Sequence, residues 1–93
     1  MGDVTESSRY ARRPDLLVRH APGFVAVARV DGSSITLEGP GAAVWRLLDE
    51  PRTILDLAQE LADVYDAEPP RIAADIEPLL AELAESGFVI TDE

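Results

Sequence analysis

The chain contains no cysteine and a single histidine, His20. Those two shortages remove disulfide staples, thiolate metal sites, thiol nucleophiles and paired-imidazole chemistry together, so stability has to come from packing. No stretch approaches the roughly 18 consecutive apolar residues of a membrane span, and the opening "MGDVTESSRYARRPD" has no apolar centre of the kind a secretory signal carries. A cytoplasmic protein without membrane contact is therefore expected. Glycine loops for phosphate are missing too: Gly39 and Gly41 flank Pro40 and follow neither the dinucleotide nor the Walker spacing. Cations are scarce where they would matter for nucleic acid. Residues 1–53 balance seven Arg against seven Asp or Glu, whereas residues 54–93 set Arg71 alone against eleven acids, so the net charge of -10 belongs to the C-terminal part. Such acidic helix faces are ordinarily solvated surface, and they repel phosphate backbones.

What is present fits one small domain with one core. Residues 1–15 mix Ser, Thr, Gly and Asp with Arg9, Arg12 and Arg13 and show no apolar period, which reads as a flexible tail; residues 16–93 read as the domain. "LLVRH" is a first strand closed by the turn signal "APG". "FVAVARV", Phe24 to Val30, is apolar on both alternating faces and reads as an interior strand covered on both sides. The Asp31-Gly32 turn leads into "SITLE", where Ile35 and Leu37 alternate with Ser34, Thr36 and Glu38, as in a half-wet edge strand.

Gly39-Pro40 stops that strand and opens a helix with Val44, Leu47 and Leu48 on its stripe and Trp45 at the margin. Thr53 and Asp56 form a capping-box variant ahead of a second helix reaching about Tyr65. A third helix carries Ile72, Ile76, Leu79, Leu80 and Leu83 on its core stripe and closes at Gly87. Pro78 predicts a kink in it, because the missing N–H leaves the Ala74 carbonyl without its helical partner. At 100° per residue, Ala73, Glu77, Leu80 and Ala84 line one shoulder of the stripe, and Asp75 and Glu82 the other. The first shoulder is small and mostly apolar. "FVIT" leaves as an extended tail. The fold class is α+β: a winged helix-turn-helix-like arrangement with a three-stranded antiparallel sheet followed by three helices.

Nothing in this pattern carries catalysis. His20 has no partner, and helical carboxylate pairs such as Asp56 with Glu60 are ordinary exposed acids. The reading assigns no enzyme activity, cofactor or metal.

From Leu37 to Val89, "LEGPGAAVWRLLDEPRTILDLAQELADVYDAEPPRIAADIEPLLAELAESGFV", the sequence resembles the PqqD family. That family's pattern runs through small residues into Ala-Ala-(Val/Ile)-Trp and Leu-Leu-Asp, then a Thr-capped helix, an Asp-(Val/Ile) pair and a closing Leu-x-x-x-Gly-(Leu/Phe)-(Val/Ile). Two positions depart from it: Glu38 stands where Asn is frequent, and Pro78 interrupts the last helix. The resemblance implies a recognition domain for ribosomally made, post-translationally modified peptides. Such a domain binds the leader segment of a precursor peptide and presents it to a radical S-adenosylmethionine enzyme, a cyclase or a leader peptidase. It further implies an added antiparallel strand on the third strand, facing the third helix. The expected site is Ser33, Ser34, Ile35, Thr36, Leu37 and Glu38, with Ile72, Ala73, Ile76, Glu77 and Leu80 as the facing wall, in a monomer or an edge-strand dimer. The alternatives are a winged-helix DNA-binding regulator, opposed by Asp75, Glu77, Glu82 and Glu85 against Arg71 alone, and an acidic module that docks a basic protein.

Overall fold

In the computed structural model, which describes residues 8–92, two small antiparallel sheets and three helices share one core. The elements in chain order are β1 (Arg9–Arg12), β2 (Leu17–Ala21), β3 (Phe24–Ala28), β4 (Ser34–Glu38), α1 (Pro40–Leu47), β5 (Arg52–Thr53), α2 (Ile54–Tyr65), α3 (Pro69–Glu85) and β6 (Val89–Asp92). The expected three-stranded sheet is β2-β3-β4, with β3 central and β4 at an edge.

Its two hairpins follow from turn chemistry. Pro22-Gly23 joins β2 to β3, pairing Ala21 with Phe24. Val30, Asp31 and Gly32 join β3 to β4: Gly32 takes φ +97°, and Asp31 Oδ1 accepts the Ser33 N–H at 2.9 Å. That hydrogen bond also holds the Asp31 carboxyl below its ordinary pKa. Inward-facing Val25, Val27 and Leu37 are buried in the core, while Phe24 is exposed and Ala26 and Ala28 are half-buried on the other face. β3 is thus interior within its sheet but covered on one face only. Its apolar outer positions are Phe24 and two small alanines, which an alternation count cannot tell from core.

The second sheet, β5-β1-β6, corrects the expectation at both ends. Arg9–Arg12 is a strand rather than part of a tail, and it pairs with β6, Arg9 opposite Asp92 through Arg12 opposite Val89. Residues 1–7 of the expected tail lie outside the described residues. Tyr10 anchors this strand in the core. From the strand's end, Arg12 donates to the Trp45 carbonyl through Nε and Nη2 (3.0 and 2.8 Å) and to the Arg46 carbonyl (3.2 Å). Its guanidinium stands 5.3 Å from the Trp45 ring centroid. Arg52 Nε donates to the Leu47 carbonyl. Two arginines therefore add side-chain donors to the last carbonyls of α1, of which Trp45 and Arg46 also accept the Leu48 and Asp49 N–H at 3.2 and 3.4 Å.

Trp45, at the margin of the helical stripe, is fully buried as a core residue. In α2 the capping box is complete: Asp56 N–H donates to Thr53 Oγ1 at 3.0 Å and Thr53 N–H to Asp56 Oδ2 at 3.1 Å. The helix ends at Asp66 in the left-handed region, φ 52°. The third helix runs unbroken through Pro78, since Ala74 and Pro78 are both exposed and water can solvate the carbonyl that loses its partner. Gly87, at φ +82°, ends the helix in a Schellman arrangement, with Phe88 N–H donating to the Leu83 carbonyl at 2.9 Å.

Candidate functional site: an open strand edge beside a helix

The hydrogen-bond parity of β4 decides what its edge offers. Arg29 N–H donates to the Ser33 carbonyl at 2.8 Å, closing the hairpin, and the register places Ile35 opposite Val27 and Leu37 opposite Val25. Antiparallel alternation then turns the N–H and C=O groups of Ile35 and Leu37 toward β3 and those of Ser34, Thr36 and Glu38 away from it. Among the described residues β3 is the only strand beside β4, and there these outward groups form an unpaired row. Ser33 is spent in the turn, its N–H on Asp31 and its carbonyl on Arg29, so the strip begins at Ser34.

The helical wall is α3, and the structure selects its shoulder. Leu79 Cδ2 and Leu37 Cδ2 both border Gly41, 3.7 and 3.6 Å from where a Cβ on that glycine would stand. At the other end of the strand, Arg29 Nη1 donates to the Ser86 carbonyl at 3.0 Å. The helix therefore runs antiparallel to β4 and presents the Leu79 shoulder, on which Asp75, Glu82 and Ser86 also fall at 100° per residue. Glu77 is on the opposite shoulder, where its charge adds to burial in raising the Tyr10 phenol above its ordinary pKa. Ile72, Ile76 and Leu80 are 7%, 3% and 0% exposed. They form the core beneath the groove rather than a wall that a ligand can touch. Ala73, half-buried, shares the Glu77 side. Of the expected residues, Ser34, Ile35, Thr36, Leu37 and Glu38 come together as one strip. On α3 the residue that borders Gly41 with Leu37 is Leu79, flanked by Asp75 and Glu82, while Ile72, Ile76 and Leu80 lie in the core beneath. A helical wheel offers both shoulders equally; the cue favouring this one was Leu79, the apolar residue nearest that flank.

On the outer sheet face, Ala26 and Ala28 floor a concavity of about 460 Å³ between Leu17 and Arg19 on one side and Ser34 and Thr36 on the other. A larger hollow at the α2–α3 connection is lined by Gln59, Asp63, Asp66 and Glu68 and lies away from the strip. Among the described residues no group of three His, Cys, Asp or Glu side chains could hold a metal ion, and no helix is long and apolar enough to cross a membrane. What the edge can do chemically is accept a strand: main-chain donors and acceptors at alternate residues, an apolar floor beside them and carboxylates at the rim.

Comparison with known proteins follows the same outline. The family model of coenzyme PQQ synthesis protein D (PqqD) matches residues 23–89. The bifunctional coenzyme PQQ synthesis protein C/D of Methylorubrum extorquens is 45% identical over 49 residues, 53% of this chain but only 13% of that protein's length. Among solved structures, the solution structure of the PqqD truncation of Methylobacterium extorquens PqqCD, described as a functional and stand-alone recognition element for ribosomally synthesised and post-translationally modified peptides, superposes with a TM-score of 0.79. It is 27% identical, and 95% of each chain is covered. Lasso peptide synthetase B1 complexed with a leader peptide gives 0.72 at 26% identity, over 87% of this chain and 96% of that one. TbiB1 in complex with the TbiA(beta) leader peptide gives 0.77 at 19% identity, over 85% and 93%, and attests the fold. With the match to the family model spanning more than half of its length, from β3 to the first residue of β6, the chain belongs to the PqqD family.

Proposed function

We propose that this protein is a leader-peptide recognition element: it takes the extended leader segment of a ribosomally made precursor as an antiparallel strand on β4 and presents the remainder to a modifying enzyme. The partner enzyme would be a radical S-adenosylmethionine protein, a cyclase or a leader peptidase. No chemical step is assigned to the chain itself. The observation that carries the reading is the unpaired row at Ser34, Thr36 and Glu38 beside the Leu37, Gly41 and Leu79 floor. Likeness to the leader-bound complex of lasso peptide synthetase B1 supports it.

Strand addition draws affinity from main-chain bonds common to all sequences, and selectivity from the side chains that alternate between floor and solvent. An extended leader loses conformational entropy on docking, so net affinity is modest and hand-over to an enzyme is feasible. The winged-helix outline does not bring nucleic-acid binding with it, because α3 carries Arg71 alone among its acids.

Amide shift mapping of labelled protein against a synthetic leader peptide, at low and high salt, tests the reading. Salt-tolerant shifts centred on Ser34–Glu38 and the Leu79 shoulder are expected. Shifts confined to the acid-rich α2, collapsing with salt, would instead mark an electrostatic docking module.

A further inference from the structure

The wall beside β4 is not neutral, and its charges have a spacing. Asp75 and Glu82 are exposed and fall about 40° and 60° farther from the core than Leu79, on the same side of it. Along the axis they lie about 6 Å before and about 4.5 Å after Leu79. Alternate residues of an extended strand stand about 6.8 Å apart. A strand added antiparallel to β4 runs parallel to α3, because α3 itself runs antiparallel to β4. Its inward side chains at positions p, p+2 and p+4 therefore pass Asp75, Leu79 and Glu82 in turn.

The register follows from Leu37 and Leu79 bordering the same residue, Gly41. Position p+2 is opposite Leu37, p+4 opposite Ile35 and p opposite Gly39. Position p+1 is opposite Glu38, on the outer face. Within the described residues none of Glu38, Asp75 and Glu82 is in an ion pair; the pairs there are Arg13 with Asp15, Arg29 with Asp31, and Arg52 with Asp49 and Glu50. Arg29, the cation nearest the hairpin end, is already engaged by the Ser86 carbonyl and by Asp31.

We infer that the groove is selective for a cationic leader segment of the form (Lys/Arg)-x-(Ile/Leu/Val)-x-(Lys/Arg). Its apolar residue lies over Leu79 and Gly41, its flanking cations meet Asp75 and Glu82, and Glu38 favours a further cation at p+1. This rests on the strand-addition reading and specifies the substrate of that site. Each rim pair is solvent-accessible and worth little alone; three together set preference among leaders that the main-chain bonds hold equally well.

The test is a selection from a displayed library of random peptides against the intact protein, run in parallel on Thr36→Pro and on the combined Glu38→Lys, Asp75→Lys, Glu82→Lys variant. Glu38→Gln, Asp75→Asn, Glu82→Gln serves as a milder substitute if the reversal misfolds. Parent protein is expected to enrich Lys or Arg at p and p+4 around an aliphatic p+2, the reversed variant Asp or Glu at the same places, and the neutral variant neither sign. Replacing the selected cations by Glu should weaken binding to the parent roughly tenfold at low salt, and less at high salt. The chain has no lysine, so a carbodiimide joins peptide lysines to protein carboxylates alone, and the cross-links should map to Glu38, Asp75 and Glu82. Peptides that lose binding in Thr36→Pro yet show no cationic preference would overturn the inference and leave strand addition standing. Peptides indifferent to Thr36→Pro, or cross-linked to α2, would overturn both.

Discussion

Among the described residues, the sheet that carries the candidate site has two open edges, and only one of them has a helix beside it. At β4 the row of Ser34, Thr36 and Glu38 stands beside α3. At β2 the outward groups are those of Val18 and His20, by the same alternation that turns Leu17, Arg19 and Ala21 toward β3. Among the described residues nothing closes over that edge: Leu17 is 73% and Val18 38% exposed, and His20 is exposed although its side chain shares a face with buried Val25. Unpaired backbone is common to both, so backbone alone cannot define a binding groove. What β4 adds is a second surface, α3, whose Leu79 borders the same glycine as Leu37, and on the proposed reading that surface makes the edge selective. Short length and the charged Arg19 restrain β2 from indiscriminate pairing.

The most forceful way to break this comparison is a proline in each edge. Thr36→Pro, which deletes an outward N–H of β4, should reduce leader affinity more than roughly tenfold, whereas Val18→Pro should leave it within about twofold, as measured by calorimetric titration. Equal losses would mean that the edges are not distinguished by their walls. Next in size, Arg12→Ala removes the bonds to the Trp45 and Arg46 carbonyls and should destabilise the fold by ~1–3 kcal/mol in denaturant unfolding. Peptide affinity of the folded fraction should persist, because the groove is untouched. Leu79→Ala makes the β4 edge more like β2 and should weaken peptide binding by about ~1 kcal/mol, roughly fivefold, with a stability loss of similar size. Thr53→Ala breaks the capping box of α2, at a cost of ~1 kcal/mol, without altering either edge.

The smallest effect separates the two shoulders of α3. Glu77→Gln should leave peptide affinity unchanged while moving the Tyr10 phenol part of the way back toward 10.0, seen by spectrophotometric titration against Tyr10→Phe. Because the folded-state value is raised, Tyr10's contribution to stability is complete below pH 10.0 and is lost as pH rises through the folded value. Parent and Tyr10→Phe should accordingly show the same pH dependence of stability below about pH 10, and diverge only above it.

Much of this edge was legible in the sequence. The alternation in "SITLE" announced a half-wet strand, Gly39-Pro40 and Thr53-Asp56 announced helix starts, and Gly87 a helix end, because each of those signals is local and physical. Two features were not legible, for different reasons. The Arg9–Arg12 strand is short and takes its partner from the far end of the chain; its apolar content is Tyr10 and Ala11, and no local pattern betrays it. The facing shoulder of α3 is fixed by how the helix crosses the sheet, and a helical wheel contains no crossing. The sequence therefore shows Ile72, Ile76 and Leu80 on the core stripe, where they are buried, but not that Leu79, with Asp75 and Glu82 beside it, is the side turned toward Gly41.

The pairing of Arg9 with Asp92 makes the described chain close to a ring. A ring can be cut elsewhere. Joining the two strand ends through a short flexible linker and opening the backbone at Pro22-Gly23 would yield a permuted protein whose new ends issue from the β2–β3 turn, with the helix order and the β4 groove retained. Either point of entry, the paired ends or that turn, offers a place to splice the recognition element into a larger protein, so that attachment to an enzyme and reach toward its peptide become separately adjustable.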